Sequence, residues 1–425
     1  MTRFKEHWPA LADRRLVLSL QPRIMKKNSL PELHPVAGFR LGTTAAGIKK
    51  PGRPDLVVME LACGSACAAV FTKNAFCAAP VVVAREHLSQ AQPCCLLINT
   101  GNANAGTGES GIRDAQLCCE GLARQAGCVA RAVLPFSTGV IGEPLPVKQI
   151  LSGIPDAHAQ LHEQGWAAAA TGILTTDTVP KGASKQIEID GQSVTITGIA
   201  KGAGMIRPDM ATMLAFIATD ATLEQAVLQG CLSAAVGKSF NRITIDGDTS
   251  TNDACVLVAT GKAVAVASGT PGYALFNEAL TDICMQLAQA IVRDGEGATR
   301  FVTVAVESGA SAAECLQVAY TIAHSPLVKT ALFAGDPNWG RILAAVGRAG
   351  LDNLNLAQLE IYLDEVCIVR DGGRADDYTE AAGQQVMDRE EITIRVVLNR
   401  GVYNESVWTC DLSYDYVKIN AEYRS

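Results

Sequence analysis

The chain has 425 residues, of which 48% are hydrophobic, and a formal net charge of −7 at pH 7. Such a chain can bury one large core or two ordinary ones, which excludes intrinsic disorder. The acidic balance and the lack of any long Lys or Arg run argue against nucleic-acid binding, and no apolar stretch approaches the ~18 residues of a membrane span. We therefore expect a soluble protein that acts on small molecules, with neither nucleic acid nor membrane as a partner.

The N-terminal segment and the cysteines bear on compartment and metal binding. Residues 1–24 mix arginines with Glu6 and Asp13, and a second methionine, Met25, follows directly. They lack the long apolar core of a secretory signal, and their acids weaken a transit-peptide interpretation, so we expect a leader and a cytoplasmic protein. Cys63-x-x-x-Cys67 has no matching second pair, so the 14 cysteines predict buried free thiols and no metal site.

The first half of the chain predicts an α/β arrangement. Short apolar runs predict buried strands at 56–61 and 94–99. Two alternating segments, 186–190 and 193–199, flank Asp190-Gly191, the signal of a type I′ hairpin. Helical spacing of apolar residues predicts helices at 84–91, 112–125, 145–162 and 166–173.

The second half continues this pattern. Strand formers from 212 to 219 place Thr212 at the head of a strand, and Thr222-x-x-Gln225 fits a capping box that opens a helix through 228–236. Further helices are predicted at 276–291 and 312–333. Further strands are predicted at 254–259, 301–306, 359–363 and 392–398. No repeat or low-complexity linker separates domains cleanly.

One glycine pattern leaves a non-enzymatic alternative. Gly106-x-Gly108-x-x-Gly111 formally fits a dinucleotide fingerprint, but the region at 130–135, where the ribose-binding acid should lie, has no carboxylate. We interpret it as a glycine turn. The alternative is an amino-acid-binding or dinucleotide-binding protein that uses the Gly108 loop and is never cleaved.

The segment that leads into Thr212 carries a specific chemical possibility. Glycines, Pro208 and the small Ala211 precede a threonine whose hydroxyl could attack its own preceding carbonyl in an N-to-O acyl shift. Hydrolysis would then free an α-amine with a pKa near ~7.7–8.0, which could serve as base for the hydroxyl of the same residue. The residues alone leave an ordinary strand threonine as an alternative, because threonine favours strands.

A longer pattern resembles a known family. The run from Lys201 to Asp220 closely resembles the glutamate N-acetyltransferase, or ornithine acetyltransferase, family, whose members cut themselves before a threonine. Similar blocks follow the family order at 99–105, 137–142, 175–178, 246–253, 294–299 and 335–341. The resemblance extends from about residue 34 to the C-terminus. It implies an N-terminal-nucleophile-like α/β fold with stacked β-sheets between helical layers.

The resemblance also implies processing and activity. Cleavage between Ala211 and Thr212 would give an α chain, 25–211, and a β chain, 212–425. The two chains would be intertwined in one globule, in which a smaller C-terminal subdomain is possible. Two such globules would pair into an α2β2 heterotetramer. The implied enzyme is an acyltransferase of arginine biosynthesis. The acetyl group of N2-acetylornithine would pass to Thr212, ornithine would leave, and L-glutamate would become N-acetylglutamate. No cofactor is expected, and acetyl-CoA would be a co-substrate only of a bifunctional enzyme.

The resemblance assigns roles to named residues. Thr138 and Gly139 match the oxyanion hole, which would stabilise the tetrahedral intermediate. Residues that match substrate-binding positions are Thr175, Lys201, Thr212, Glu296, Asn420 and Ser425. We expect Glu296 to meet an ammonium group and Lys201 a carboxylate. Two alternative enzymes are an N-terminal-nucleophile aminopeptidase or amidase, which passes the acyl group to water, and an acetyltransferase paralogue with another acyl-amino substrate.

Overall fold

A computed structural model of the chain describes residues 29–48, 51–207 and 213–422. The predicted leader, the cleavage residues Ala211 and Thr212, and Ser425 lie outside these described residues. The strands in chain order are β1 Phe39–Thr44, β2 Leu56–Leu61, β3 Ala66–Phe71, β4 Cys95–Asn102, β5 Val133–Val140, β6 Lys181–Ile189, β7 Gln192–Lys201, β8 Leu214–Thr219, β9 Ala254–Ala259, β10 Phe301–Gly309, β11 Glu360–Leu363, β12 Val366–Arg370, β13 Gly373–Arg374, β14 Glu391–Val397 and β15 Tyr403–Cys410. The α-helices are α1 Ala79–Gln90, α2 Gly108–Ala126, α3 Val147–Ala159, α4 Trp166–Gly172, α5 Gln225–Lys238, α6 Pro271–Arg293, α7 Ala312–Ala323, α8 Pro326–Ala334, α9 Trp339–Gly347, α10 Glu380–Met387 and α11 Tyr414–Ala421.

Two sheets stack face to face in the centre of the molecule. One has the strand order β1-β2-β4-β5, and the other has the order β3-β9-β8-β7-β6. Apolar side chains from both sheets share one buried cluster, in which the rings of Phe136 and Phe216 meet edge to face at 5.2 Å. The sheets are therefore joined by a continuous hydrophobic core.

The outer faces of these sheets are covered by helices. Strand β8 shows the pattern: Phe216 points into the core between the sheets, whereas Ile217 packs against the cluster formed with α5 and α6. Because both faces of the strand are buried, its sequence is apolar throughout rather than alternating. Helices α2 and α3 cover the other sheet, with Leu122 and Ile154 in its outer cluster. The layers confirm the expected α/β class with stacked sheets between helical layers.

A third sheet builds a separate core from the C-terminal part of the chain. Its strand order is β13-β12-β11-β14-β10-β15, and β10 pairs with β14 in parallel and with β15 antiparallel. Helices α7 and α9 pack on it through residues such as Val318 and Val346. Nowhere in 29–48, 51–207 or 213–422 is there a helix with the length and apolar character needed to cross a bilayer.

Most of the predicted elements are confirmed. The hairpin between β6 and β7 turns at Asp190 and Gly191, whose φ values of 51° and 74° are those of a type I′ turn. The strand predicted at 212–219 begins at Leu214 in the structure, and Thr212 itself is not described. The strands and helices predicted around 56–61, 94–99, 112–125 and 254–259 are all present.

Two local predictions are wrong. Thr222 does not cap α5, because its hydroxyl donates to the carbonyl oxygen of Ala263 at 2.9 Å and the helix begins three residues later, at Gln225, without a side-chain cap. The helix predicted at 312–333 is two helices, α7 and α8. Pro326 lacks the amide hydrogen that a continuous helix needs, and Ser325 caps the second helix instead.

Candidate active site

A cavity of about 280 Å³ opens where several strand and helix ends meet. Its lining includes the end of β5, the end of β7, the segment that precedes β9 and the C-terminal helix α11. Six residues predicted from the family resemblance line it together: Thr138, Gly139, Thr175, Lys201, Glu296 and Asn420. The structure thus gathers into one place residues that are far apart in the sequence.

Gly139 occupies a position that only glycine can fill. Its φ of 139° lies in a region that side chains disfavour, and a Cβ atom there would come within 2.2 Å of the backbone carbon of Gly101. The close approach arises because β5 runs in parallel beside β4, with an irregular register at Gly101 and Asn102. The backbone at Thr138 and Gly139 is therefore set rigidly against the neighbouring strand, at the wall of the cavity.

Lys201 is buried and points at Thr138. Its Nζ donates to Thr138 Oγ1 at 3.2 Å, and 4% of the residue is exposed. Burial lowers the pKa of Lys201, although the carboxylates of Asp177, Asp253 and Glu296 favour its charged form. The cavity wall therefore joins an ammonium donor directly to a hydroxyl group.

A buried ion cluster underlies this wall, and sequence reasoning missed it. Lys181 Nζ donates to Asp177 Oδ1 at 2.6 Å and to Asp294 Oδ2 at 2.7 Å, with all three side chains almost completely buried. Asp177 also accepts the amides of Thr175 at 3.1 Å and Gly202 at 2.6 Å. Burial would raise the pKa of Asp177, but Lys181 and Lys201 outweigh it and hold that pKa below its usual range. The cluster fixes two segments that line the cavity.

Glu296 and Asn420 also line the cavity and are bonded to each other. Asn420 Nδ2 donates to Glu296 Oε2 at 2.8 Å, which ties the C-terminal helix to the loop after α6. A Cβ atom at Gly204 would come within 2.5 Å of the Glu296 carboxylate, so glycine leaves room for that group. Glu296 therefore adds a buried acceptor to the same cavity lining as Lys201.

The chain that follows Thr212 is anchored at this site. The amide of Met213 donates to Asp253 Oδ1 at 2.9 Å, and Leu214 pairs with Lys201 at the start of β8. Among the described residues, Asp253 Oδ2 is buried without a hydrogen-bond partner, and burial raises the pKa of this carboxyl well above its usual value. Asp253 belongs to the predicted family block at 246–253 but was not singled out, because nothing in its spacing reveals that it holds Met213.

The fold and the cavity together define an α/β enzyme for a small polar substrate. The combination is a buried hydroxyl, a strained glycine backbone and buried groups of both charges around a space near the lower end of the ~300–1,000 Å³ typical of small-molecule sites. The model of the ArgJ family matches residues 40–425. The chain belongs to the ArgJ family.

Close relatives agree with this membership. The chain is 59% identical over 399 residues to the "Arginine biosynthesis bifunctional protein ArgJ" of Pseudomonas fluorescens, covering 93% of this chain and 98% of that protein. It is 60% identical over 400 residues to the protein of the same name from Pseudomonas syringae pv. tomato, with the same coverage of 93% and 98%. A solved ArgJ chain of Bacillus halodurans is 39% identical, covering 48% of this chain and 95% of that one, with a TM-score of 0.46. A chain of Mycobacterium tuberculosis ornithine acetyltransferase, complexed with ornithine, is 33% identical, covering 41% and 92%, with a TM-score of 0.36.

Proposed function

We propose that this enzyme transfers the acetyl group of N2-acetylornithine to L-glutamate in arginine biosynthesis, with Thr212 as the acetyl carrier. The observation that carries the proposal is the convergence of Thr138, Gly139, Lys201 and Glu296 on one cavity beside the anchored Met213. Full-length similarity to relatives named for arginine biosynthesis supports the pathway. The proposed processing is self-cleavage between Ala211 and Thr212.

In the first half-reaction, the Thr212 hydroxyl attacks the acetyl carbonyl. Its proton passes to the free α-amine of the same residue, and the carbonyl oxygen becomes a tetrahedral oxyanion. The proton then moves to the leaving nitrogen, the C–N bond breaks, and ornithine departs from acetyl-Thr212. In the second half-reaction, the glutamate amine attacks this ester, and the Thr212 oxygen leaves with a proton. The threonine is regenerated, so no net oxidant, reductant or cofactor is consumed.

The hydrogen bond between Lys201 and Thr138 supports the oxyanion role of Thr138. The hydroxyl oxygen already accepts from Lys201 Nζ, so its own hydrogen remains available to a second acceptor. A developing oxyanion is such an acceptor, and the nearby positive charge makes the hydroxyl a stronger donor. The Gly139 amide would be the second donor.

Charge placement supports an amino-acid substrate. Glu296 is suited to the side-chain ammonium of ornithine, and Lys201 to a substrate carboxylate, because each is buried and can form a charge-assisted hydrogen bond. Thr175 and Asn420 add polar groups to the lining, and Ser425 stays a predicted contact. Ornithine binding is supported by the ornithine-bound relative, and glutamate binding is part of the proposal.

The term "bifunctional" in the relatives' name supports a second activity. We propose that acetyl-CoA can also charge Thr212, so that the enzyme makes N-acetylglutamate without acetylornithine. The division into chains 25–211 and 212–425, the α2β2 assembly and the cytoplasmic location stay predictions.

Mass spectrometry of the purified protein tests the carrier residue. Wild-type protein should give two fragments, one of which begins with Thr212, whereas Thr212→Ala should give one uncut chain. Removing an acyl-transfer nucleophile should lower turnover on the order of 10⁶-fold. Thr222→Ala is a matched control, because Thr222 is an exposed threonine whose hydrogen bonds, within the described part of the chain, go to Ala263, Val264 and Val266.

The same preparation separates the competing reactions. Acetylornithine plus glutamate should yield ornithine and N-acetylglutamate in equal amounts, and acetyl-CoA plus glutamate should also yield N-acetylglutamate. Release of free acetate that does not depend on glutamate would identify an amidase. Fully active protein with an intact bond before Thr212 would overturn the proposed carrier.

A further inference from the structure

Three cysteines from two parts of the chain meet outside the active-site cavity. Cys95 begins β4, Cys94 directly precedes it, and Cys128 follows the end of α2. Their Sγ atoms all lie within 4.8 Å of one another. From Cys95 to Gly101, which lies opposite Gly139, β4 runs about 20 Å at ~3.3 Å per residue. The cluster is therefore at the far end of this strand from the cavity.

The backbone fixes the three cysteines in place. The amide of Cys94 donates to the carbonyl oxygen of Ala132 at 2.8 Å, and its own carbonyl oxygen accepts the amide of Leu61 at 2.9 Å. Gly127 ends α2 in the left-handed conformation, with a φ of 67°, and the amide of Cys128 donates back to the helix at 3.0 Å. No chain rearrangement is needed to bring the sulfur atoms together.

The cluster is accessible and electrostatically suited to a cation. Cys95 is buried, but Cys94 and Cys128 are both partly exposed, so an ion can reach the sulfur atoms from solvent. The carboxylate of Glu60, which also pairs with Arg40 at 2.6 Å, acts electrostatically on all three cysteines and adds a negative charge near the cluster.

We propose that Cys94, Cys95 and Cys128 bind one thiophilic divalent cation of the zinc type. A point equidistant from three atoms that are 4.8 Å apart lies about 2.8 Å from each, whereas a Zn–S bond is about 2.3 Å. In a tetrahedral site the ion lies slightly out of the plane of the sulfur atoms, and each sulfur atom then needs to move inward by at most about 0.6 Å. Each thiol gives up its proton as it forms a metal–sulfur bond, and water completes a four-coordinate site from the exposed side.

A disulfide bond between two of these cysteines is the alternative to a bound cation. It would join two of the sulfur atoms, release two protons and two electrons to an oxidant, and leave the third thiol unused. The convergence of three sulfur atoms on one point favours the cation, because a disulfide needs only a pair.

Titration of the reduced, metal-free, full-length protein with Cd²⁺ tests the site, because cadmium–thiolate bonds absorb in the ultraviolet. Wild-type protein should bind one ion per chain with the absorbance of three such bonds, and Zn²⁺ should displace it. Cys94→Ser together with Cys128→Ser should lose this absorbance. The affinity should fall by more than the roughly 10–100-fold that changes to second-shell groups cost.

Cys63→Ser together with Cys77→Ser is the matched control, since it also removes two accessible thiols and should leave the titration unchanged. Thermal unfolding of each apo variant checks that the fold is intact. Equal cadmium absorbance in the wild type and in the Cys94 and Cys128 variant would overturn the proposal. So would reduced protein that binds no cadmium but, after mild oxidation, yields a Cys94–Cys128 disulfide by peptide mapping.

Discussion

Replacing Lys181 by methionine should destabilise the protein far more than replacing a neighbouring surface lysine. Lys181 lies between Asp177 and Asp294 at 2.6 and 2.7 Å, with about 1% of each side chain exposed. Methionine fills similar space but leaves both carboxylates buried without this cation. Removing one partner of a buried ion pair lowers the free energy of unfolding by about 3–5 kcal/mol, and we expect Lys181→Met to lower it by that amount at neutral pH.

The loss should depend on pH in a definite direction. In the wild type, the depressed pKa of Asp177 gives stability that is present above the unfolded-state pKa of ~3.9 and is lost as pH falls through the folded-state value. In Lys181→Met, the positive charge of Lys181 no longer offsets the effect of burial on Asp177. The folded-state pKa of Asp177 should therefore be higher in the variant than in the wild type. The difference between wild type and variant should therefore be largest near neutral pH and should narrow as pH falls toward ~4.

Urea unfolding followed by tryptophan fluorescence measures the effect, because the chain contains four tryptophans. Lys185→Met is the matched control: it lies on the same strand and pairs with Asp282 at the same 2.7 Å, but both side chains are at least 40% exposed. The free energy of unfolding of this control should fall by only about 0–1 kcal/mol. Equal losses in the two variants, or a Lys181→Met loss that does not change with pH, would refute the reasoning.

Three further outcomes follow from the cavity. Thr138→Val should lower kcat by about 10²–10³-fold in an ornithine-release assay, because one oxyanion donor is lost; a change below threefold would argue against that role. Gly139→Ala should fold poorly and melt at a lower temperature, because its Cβ would come within 2.2 Å of the backbone carbon of Gly101. A melting temperature equal to that of the wild type would contradict this close approach of the two strands. Asn420→Ala should raise KM for acetylornithine by about 10-fold or more with a smaller effect on kcat, as a hydrogen bond to the Glu296 carboxylate is lost; an unchanged KM would place substrate elsewhere.

The sequence predicted elements well where local signals dominate. Asp190-Gly191 required a type I′ turn and formed one, and the apolar runs of β2, β4 and β9 became buried strands. Strand β5 was missed because Pro135 and Gly139 both weaken a strand pattern. The structure explains this: β5 is an edge strand, where proline is tolerated, and Gly139 is required by the approach of Gly101.

The candidate site could be predicted from the sequence only in part. Family resemblance pointed to Thr138, Lys201, Glu296 and Asn420, and the fold brings them together. The roles of Asp253 and of Lys181, which lies between Asp177 and Asp294, depend on burial and on contacts between distant segments. Residue spacing does not encode these contacts. The cysteine cluster is similar, because only the turn after α2 brings Cys128 to β4.

The strand order of the five-stranded sheet has a consequence for how the protein could be encoded. Strands β9 and β8, which follow the proposed cleavage site, lie between β3 on one side and β7 and β6 on the other, all of which precede it. Each half therefore lacks the hydrogen-bonding neighbours that the other supplies. Two genes split at that bond should yield polypeptides that fold only when produced together, and separating the mature pieces should require complete denaturation.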